Sequence, residues 1–225
     1  MKFPKASKNF NFGYGGWPTY NSRPLYLQAF DFFIKNLGMI IPVIIALVVA
    51  ILIGFVLGGI SSALISFGLS PLAVKIVLFV IGFISGSIYS LLILIEAFES
   101  GSAIMGNIPD LSLAWNSTLN TLQVFSPTLL VTGLVFGLLS SFGVPYSFFI
   151  EGLLLILVYI VSSSIVVGSR IGLGGAIDWY TRAFSRDGIS SLLVLLGALL
   201  SLIPILNLFV IPYTAILTLL MLRNY

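Results

Sequence analysis

Long apolar runs alternate with shorter mixed segments along this chain. The runs cover Gly38 to Phe67, Leu72 to Ala97, Val124 to Phe142, Tyr146 to about Gly168, and Ile189 to Leu222. A helix needs about 20 apolar residues to cross a bilayer. The first four runs therefore each predict one span, the first of them long enough to tilt. The last run is broken only at Pro204 and Asn207. It predicts a short fifth helix, a turn near Pro204 and a sixth helix, with a shallow re-entrant hairpin as the alternative. Ser70-Pro71 and Gly143-Val144-Pro145 make the turns inside the first two pairs. The pattern predicts an all-α, polytopic integral membrane protein, with six transmembrane helices arranged as three hairpins.

The mixed segments show a helical period. In the first, Tyr26, Phe30, Phe33, Ile34 and Leu37 share one face, and Gln28, Asp31, Lys35 and Asn36 share the other. In the second, Leu111, Trp115, Leu119 and Leu122 oppose Asn116, Asn120 and Gln123. In the third, Ile177, Tyr180 and Phe184 oppose Asp178 and Arg182. Each hairpin is thus predicted to be preceded by an amphipathic helix lying at the membrane interface. Asp31 with Lys35 and Asp178 with Arg182 stand at i,i+4 spacing, which suits weak ion pairs.

These segments also resemble one another. Ala29-Phe30-Asp31, Ala114-Trp115-Asn116 and Ala176-Ile177-Asp178 each read Ala, large apolar, Asp or Asn. Ser100-Gly101-Ser102 lies over Ser162-Ser163-Ser164, and Gly106 over Gly168, without a gap. The expected organisation is a tail over residues 1–24 and a single membrane domain over 25–225. That domain is built from repeat units of about 25–99, 100–161 and 162–225. The tail mixes Lys2, Lys5, Lys8 and Arg23 with Phe10, Phe12, Tyr14, Trp17 and Tyr20. It reads as a loosely ordered segment whose aromatics sit at headgroup level.

Composition strengthens the membrane reading. The chain is 59% hydrophobic and only 8% charged, where a soluble domain carries about a quarter charged residues. The net charge of +3 is too small to suggest nucleic acid, and it is distributed by side. Lys2, Lys5, Lys8, Arg23, Lys35, Arg170, Arg182, Arg186 and Arg223 fall on one side of the six-helix scheme, and only Lys75 on the other. The positive-inside rule then predicts both termini in the cytoplasm of a multi-pass cell-membrane protein. The first apolar run follows a long polar and aromatic stretch, so insertion through the chain's own helices is expected rather than a cleavable signal. The absence of Cys and His removes thiol chemistry, Cys-ligated metals and the commonest general base. No metal or cofactor is expected.

Few residues stand out as candidate chemistry. No charge falls at the centre of any predicted span, so the sequence suggests no proton relay. Lys75 and Glu151 lie near the outer ends of the second and fourth spans, where they snorkel to headgroups or form an ion pair between hairpins. Glu96 and Glu99, one turn apart, read as marking the end of the second span. Paired carboxylates also suit a cation or acid–base work. Ser85, Ser87 and Ser90, with Ser162, Ser163 and Ser164, form two serine clusters. They bond to their own helices, or line a polar path. Lys35, Arg170, Arg182 and Arg186, beside aromatics, suit anionic lipid headgroups or a partner. Gly54/Gly58, Gly82/Gly86, Gly133/Gly137 and Gly168/Gly172 suit close helix contact. Gly172-Leu173-Gly174-Gly175 lacks the strand and the Lys of a phosphate loop.

The Ala-large-Asp/Asn helices, together with the ending Leu202-Ile203-Pro204-Ile205-Leu206-Asn207, Ile211-Pro212-Tyr213 and Arg223, carry a resemblance. After Arg23 the chain resembles a group of prokaryotic six-helix membrane proteins similar to the membrane domain of some glycerophosphoryl diester phosphodiesterases. That resemblance implies a six-helix membrane domain and brings no catalytic residues, since the phosphodiesterase chemistry resides in a separate soluble domain. The expected function is non-enzymatic: a subunit of a membrane complex, or a scaffold that organises lipid or partners. The alternative is a small transporter or channel, and a lipid-modifying enzyme acting through Glu96 and Glu99 comes third. The expected partners are membrane lipids and other membrane subunits or a second copy, with no nucleic acid.

Overall fold

The computed structural model describes residues 23–66 and 70–225. Nearly all of the expected tail, including Lys2, Lys5, Lys8 and its aromatics, lies outside the described residues, as do the side-chain surroundings of Gly54 and Gly58. The described chain is helical and contains no strand. Its helices are α1 (Leu25–Lys35), α2 (Ile40–Ser66), α3 (Pro71–Ile104), α4 (Leu111–Phe142), α5 (Ser147–Val167), α6 (Leu173–Arg186), α7 (Gly188–Leu200) and α8 (Asn207–Asn224). A 3-10 turn, Leu37–Met39, joins α1 to α2.

Among the described residues, α3, α4, α5 and α8 are long and apolar enough to cross a membrane. A fifth span is reached if α1 and the first part of α2, bent by 84° to one another, are counted as one. This is consistent with a multi-pass membrane protein. The 13 residues of α7 reach only about 20 Å at 1.5 Å per residue, short of the roughly 30 Å hydrocarbon core.

The connectors differ from expectation in instructive ways. α1 and α6 are separate helices, as their periodicity predicts. The second connector is not: Leu111 to Gln123 forms the first turns of the continuous 32-residue α4. The fusion passes through Pro127, which has no N–H to give the Gln123 carbonyl. Ser126 Oγ donates to that carbonyl at 3.1 Å instead, so the helix continues without an orphaned acceptor. The buried stripes are also rotated. In α6 they are Ala176, Trp179 and Ala183, while Ile177 and Phe184 are exposed. In α1, Gln28, Ala29 and Phe33 are buried and Phe30, Ile34 and Leu37 are exposed. Small residues let the short helices sit close to the bundle, and the large apolar side chains spread outward, where a bilayer would meet them.

The three Ala-large-Asp/Asn triplets share one arrangement. Ala29, Ala114 and Ala176 are buried, Phe30, Trp115 and Ile177 are about half exposed, and Asp31, Asn116 and Asp178 are exposed. Gly106 (φ 80°) and Gly168 (φ 85°) both take left-handed backbone just past the ends of α3 and α5, a conformation that favours glycine. Gly168 and Gly172 therefore bracket a turn and make no helix contact.

α3 packs most extensively on α4, joined to it by residues 105–110, and also on α5, α8 and α2. The α3–α4 seam is built on glycine. A Cβ at Gly82 would lie 2.5 Å from the Phe136 carbonyl oxygen, one at Gly86 2.8 Å from the Phe136 ring, and one at Gly137 2.9 Å from the Phe79 ring. Only glycine permits this approach. α2 is different: Ile44, Ile45, Val48, Val49, Ile51 and Leu52 are exposed, so its described part presents an apolar surface suited to lipid.

Candidate functional site: a buried carboxylate pair

α3 runs past the point where hydropathy alone would stop it. Its second half, from Ser90 onward, is almost wholly buried through Ile104. Glu96 and Glu99 lie in this half, 0% and 2% exposed. Their i,i+3 spacing puts them one turn apart on one face. They therefore do not stand at a helix end in contact with water. The helix continues for five residues beyond Glu99, and Ser100 Oγ donates to the Glu96 backbone carbonyl at 2.7 Å.

Both side-chain oxygens of Glu96 and Oε2 of Glu99 are buried without a hydrogen-bond partner. The adjoining helices α2, α4 and α5 contain no Lys or Arg, and in α8 the one basic residue, Arg223, is in the last turn. Asp110, which caps α4 by accepting from Ser112 N at 2.8 Å and Leu113 N at 3.2 Å, lies within electrostatic reach of Glu99. Its exposure marks the watery end of the site.

More polar atoms are buried nearby in the bundle. Tyr159, at mid-height on α5, is fully buried and lies within electrostatic reach of Glu96 and Tyr89. Its hydroxyl is beside Ser201 but closes no hydrogen bond of good geometry. Asn207, at the start of α8, approaches Tyr89, and its Oδ1 is left without a donor. Ser162 and Ser163 are fully buried and their hydroxyls are also unpartnered. An unsatisfied buried polar group costs about 1–3 kcal/mol, so this concentration calls for water, a proton or an ion to complete it.

The serine clusters divide. Ser90 Oγ donates to the Gly86 carbonyl at 2.9 Å. Ser164 Oγ donates to Val161 O at 2.7 Å and accepts from Ile171 N at 3.0 Å, tying the α5–α6 turn. Ser87 Oγ is buried and unpartnered, against Gly133 on the α3–α4 seam, and Ser85 is half-buried.

The charged candidates do not converge. Among the described residues no ion pair joins Lys75 to Glu151. The Lys75 ammonium sits 5.6 Å from the centre of the Phe142 ring, and Glu151 is half-buried beside Ser147. Asp31 pairs with Arg23 at 3.3 Å instead of with Lys35. Arg182 Nε donates to the Asp178 backbone carbonyl, 3.3 Å away, instead of to its carboxylate. Lys35, Arg170, Arg182 and Arg186 are all exposed, and Arg186 donates to the Tyr225 carbonyl oxygen at 3.1 Å. On α6, Tyr180 donates to the Ser191 carbonyl at 2.7 Å. Burial pushes its pKa up to about 12, so it remains a neutral donor at ordinary pH.

Among the described residues no group of three or more His, Cys, Asp or Glu is assembled. The site offers two carboxyl groups and several hydroxyls. Hydroxyls both donate and accept, which suits a proton or a small monovalent cation better than the larger carboxylate and carbonyl sets that hold calcium. No family model, curated protein or solved structure matches the chain.

Proposed function

We propose that the protein is a non-enzymatic, multi-pass protein of the cell membrane that works as a small transporter or channel, alone or as a subunit, with Glu96 and Glu99 as its ion-handling centre. One observation carries this reading. Glu96 is fully enclosed in a helix bundle, and neither of its carboxylate oxygens has a partner. A buried carboxylate is balanced by a proton or a cation, because an isolated charge in an apolar medium is prohibitively costly. A purely structural protein gains nothing from such a group, whereas ionisable residues inside membrane bundles mark ion paths. The wider scheme belongs to the same proposal: six spans in three hairpins, both termini cytoplasmic, repeat units of common descent, and kinship with the phosphodiesterase membrane domains.

The test is reconstitution in liposomes with cation-sensitive dyes inside. The wild type should admit a small cation, and Glu96→Gln should cut the rate at least about tenfold, the scale of losing one positioned proton-transfer group, while keeping its size-exclusion profile. Flux that is absent, or indifferent to Glu96, would refute the reading.

A second reading, a scaffold that organises lipid or partners, is favoured by a different feature. A lateral groove of about 740 Å³ opens between the first turns of α2, the middle of α3 and the start of α4, lined by Pro42, Val49, Ile88, Leu92 and Trp115. Exposed Lys35, Arg170, Arg182 and Arg186 would then serve anionic headgroups. Stable co-purifying membrane proteins or lipids, without cation flux, would favour this reading.

A further inference from the structure

We propose that the groove between α2, α3 and α4 is a binding site for one phospholipid with a primary-amine headgroup, its acyl chain lying in the groove and its ammonium on the Asp110 carboxylate. This goes beyond the transport reading and does not depend on it. It assigns one class of lipid to the groove.

The shape of the groove fits one chain. α2 and α4 each pack on α3. The space of about 740 Å³ lies between them, lined by Pro42, Ala46 and Val49, by Ile88 and Ile95, and by Trp115. Apart from Ser112 and the Trp115 indole, its lining is apolar. From Pro42 to Val49 the wall rises about 10 Å, and from Ile88 to Ile95 it rises about the same. One leaflet's hydrocarbon is about 15 Å deep, half of the whole core. The groove therefore takes most of one chain's depth. It also starts at the right level. Pro42 stands in the first turn of α2, just past the 84° bend that turns α1 across the direction of the span. A helix turned across a span in this way lies at the membrane surface.

The chain alone brings no selectivity, because lipid tails are as apolar as the groove wall. Selectivity comes from the rim. Asp110 accepts from Ser112 N at 2.8 Å and from Leu113 N at 3.2 Å, and Ser112 lines the groove. The carboxylate thus stands at the groove's end, and it is exposed. Both cap bonds go to Oδ1, which leaves Oδ2 for a ligand. The sequence has no Lys or Arg from Asn36 to Val74, or from Ile76 to Ser169. The segments that form the groove and its rim are therefore free of basic residues, in contrast to α6 with Arg182 and Arg186.

An acidic rim repels an anionic headgroup. A primary ammonium carries three N–H donors on one positive charge, and it meets a carboxylate oxygen in a charge-assisted hydrogen bond. A quaternary choline has no such donor. Trp115, about half exposed, offers its indole N–H to the phosphate or ester oxygens of the same lipid. It follows Asp110 by about 7 Å along the helix. Ammonium, phosphate and ester follow one another in that order along a lipid. Ile108, 89% exposed in the turn before Asp110, gives the same rim an apolar contact for lipid.

Photocrosslinking of the full chain in phosphatidylcholine vesicles tests this. The vesicles receive equal small fractions of phosphatidylethanolamine, phosphatidylglycerol or phosphatidylcholine, each with a diazirine on one acyl chain. Peptide mass spectrometry reads labelling of residues 42–49 and 111–115, relative to the exposed Leu134 and Leu138 of α4. The ethanolamine lipid should label the groove roughly two- to fivefold more than either other lipid, the scale of one exposed ion pair. Asp110→Asn should abolish that preference and keep the fold, because asparagine caps a helix as well as aspartate does. Size exclusion checks the fold. Ala46→Phe, which fills the groove, should lower groove labelling by all three lipids. Equal labelling by the three lipids, preference for the glycerol lipid, or an ethanolamine preference that survives Asp110→Asn would overturn the proposal. A groove that no lipid labels would mean that protein covers it, and would overturn the proposal as well. None of these readouts is a flux, so failure here is distinct from failure of the transport reading.

Discussion

α3 makes two contrasting contacts along its length. Its first half meets α4 through glycines and phenylalanine rings, with the Ser87 and Ser140 hydroxyls the polar groups against the glycines there. Its second half holds Glu96 and Glu99, and α5 and α8, which also pack on α3, add hydroxyls and an amide that lack hydrogen-bond partners. The first contact is what stability alone produces in lipid, where close packing takes over the part that hydrophobic burial plays in water. The second runs against stability. The contrast teaches that hydropathy is a poor guide to the inside of a membrane bundle: the polar half of α3 is the more buried half.

The largest expected effect lies at the glycine seam. Gly82→Ala should destabilise the protein by about 1–3 kcal/mol, because the new methyl meets the Phe136 backbone and a backbone cannot swing aside. Gly38→Ala, with no atom within 4 Å of its Cβ, is the control and should stay within about 0.5 kcal/mol. Thermal unfolding in detergent reads both, and equal effects would erase the distinction between seam and surface. On the polar side the sign should reverse. Ser163→Ala removes an unsatisfied buried hydroxyl and should be neutral or stabilising by up to about 1 kcal/mol. A loss as large as that at Gly82 would mean that Ser163 has a structural partner.

Smaller effects lie at the far end of the α3–α4 seam and outside both contacts. Lys75→Ala loses the contact with the Phe142 ring and should lower stability by about 0.5 kcal/mol. Tyr180 provides a pH readout. Its pKa is raised from 10.0 to about 12, so above pH 10 the unfolded chain loses this proton while the folded one keeps it. Stability from this group is therefore full below pH 10 and falls as pH rises through 12. Tyr180→Phe should flatten that part of an alkaline melting series, and an unchanged slope would place the titration elsewhere.

Much of the fold was legible in one dimension. The runs that became α3, α4, α5 and α8 were long, apolar and bounded by turns, and the Ala triplets marked small buried residues in three helices. The error over residues 111–123 has a physical cause. A polar stripe signals an interfacial helix only if the helix ends, and nothing in the residues shows that Ser126 would satisfy the carbonyl freed by Pro127. The rotated faces of α1 and α6 have another cause. In water the large apolar residues face inward, but beside lipid they can face outward while alanine takes the close contact.

The site was half legible. Glu96 and Glu99 stood out as a pair, but a hydropathy window ends a span at its first charges. Only the neighbouring helices show that these charges are enclosed. Tyr159 and Asn207 carried no signal beyond being polar atoms in apolar runs. Their meaning depends on which helices meet, and the spacing along one helix does not reveal that.

The most direct measurement on the central claim compares stability and flux in one variant. If Glu96 is kept for ion handling, Glu96→Gln should hold or raise the melting temperature, because it removes an uncompensated buried acid, while cation flux into liposomes collapses. A variant that melts well below the wild type, or that keeps full flux, would contradict the account.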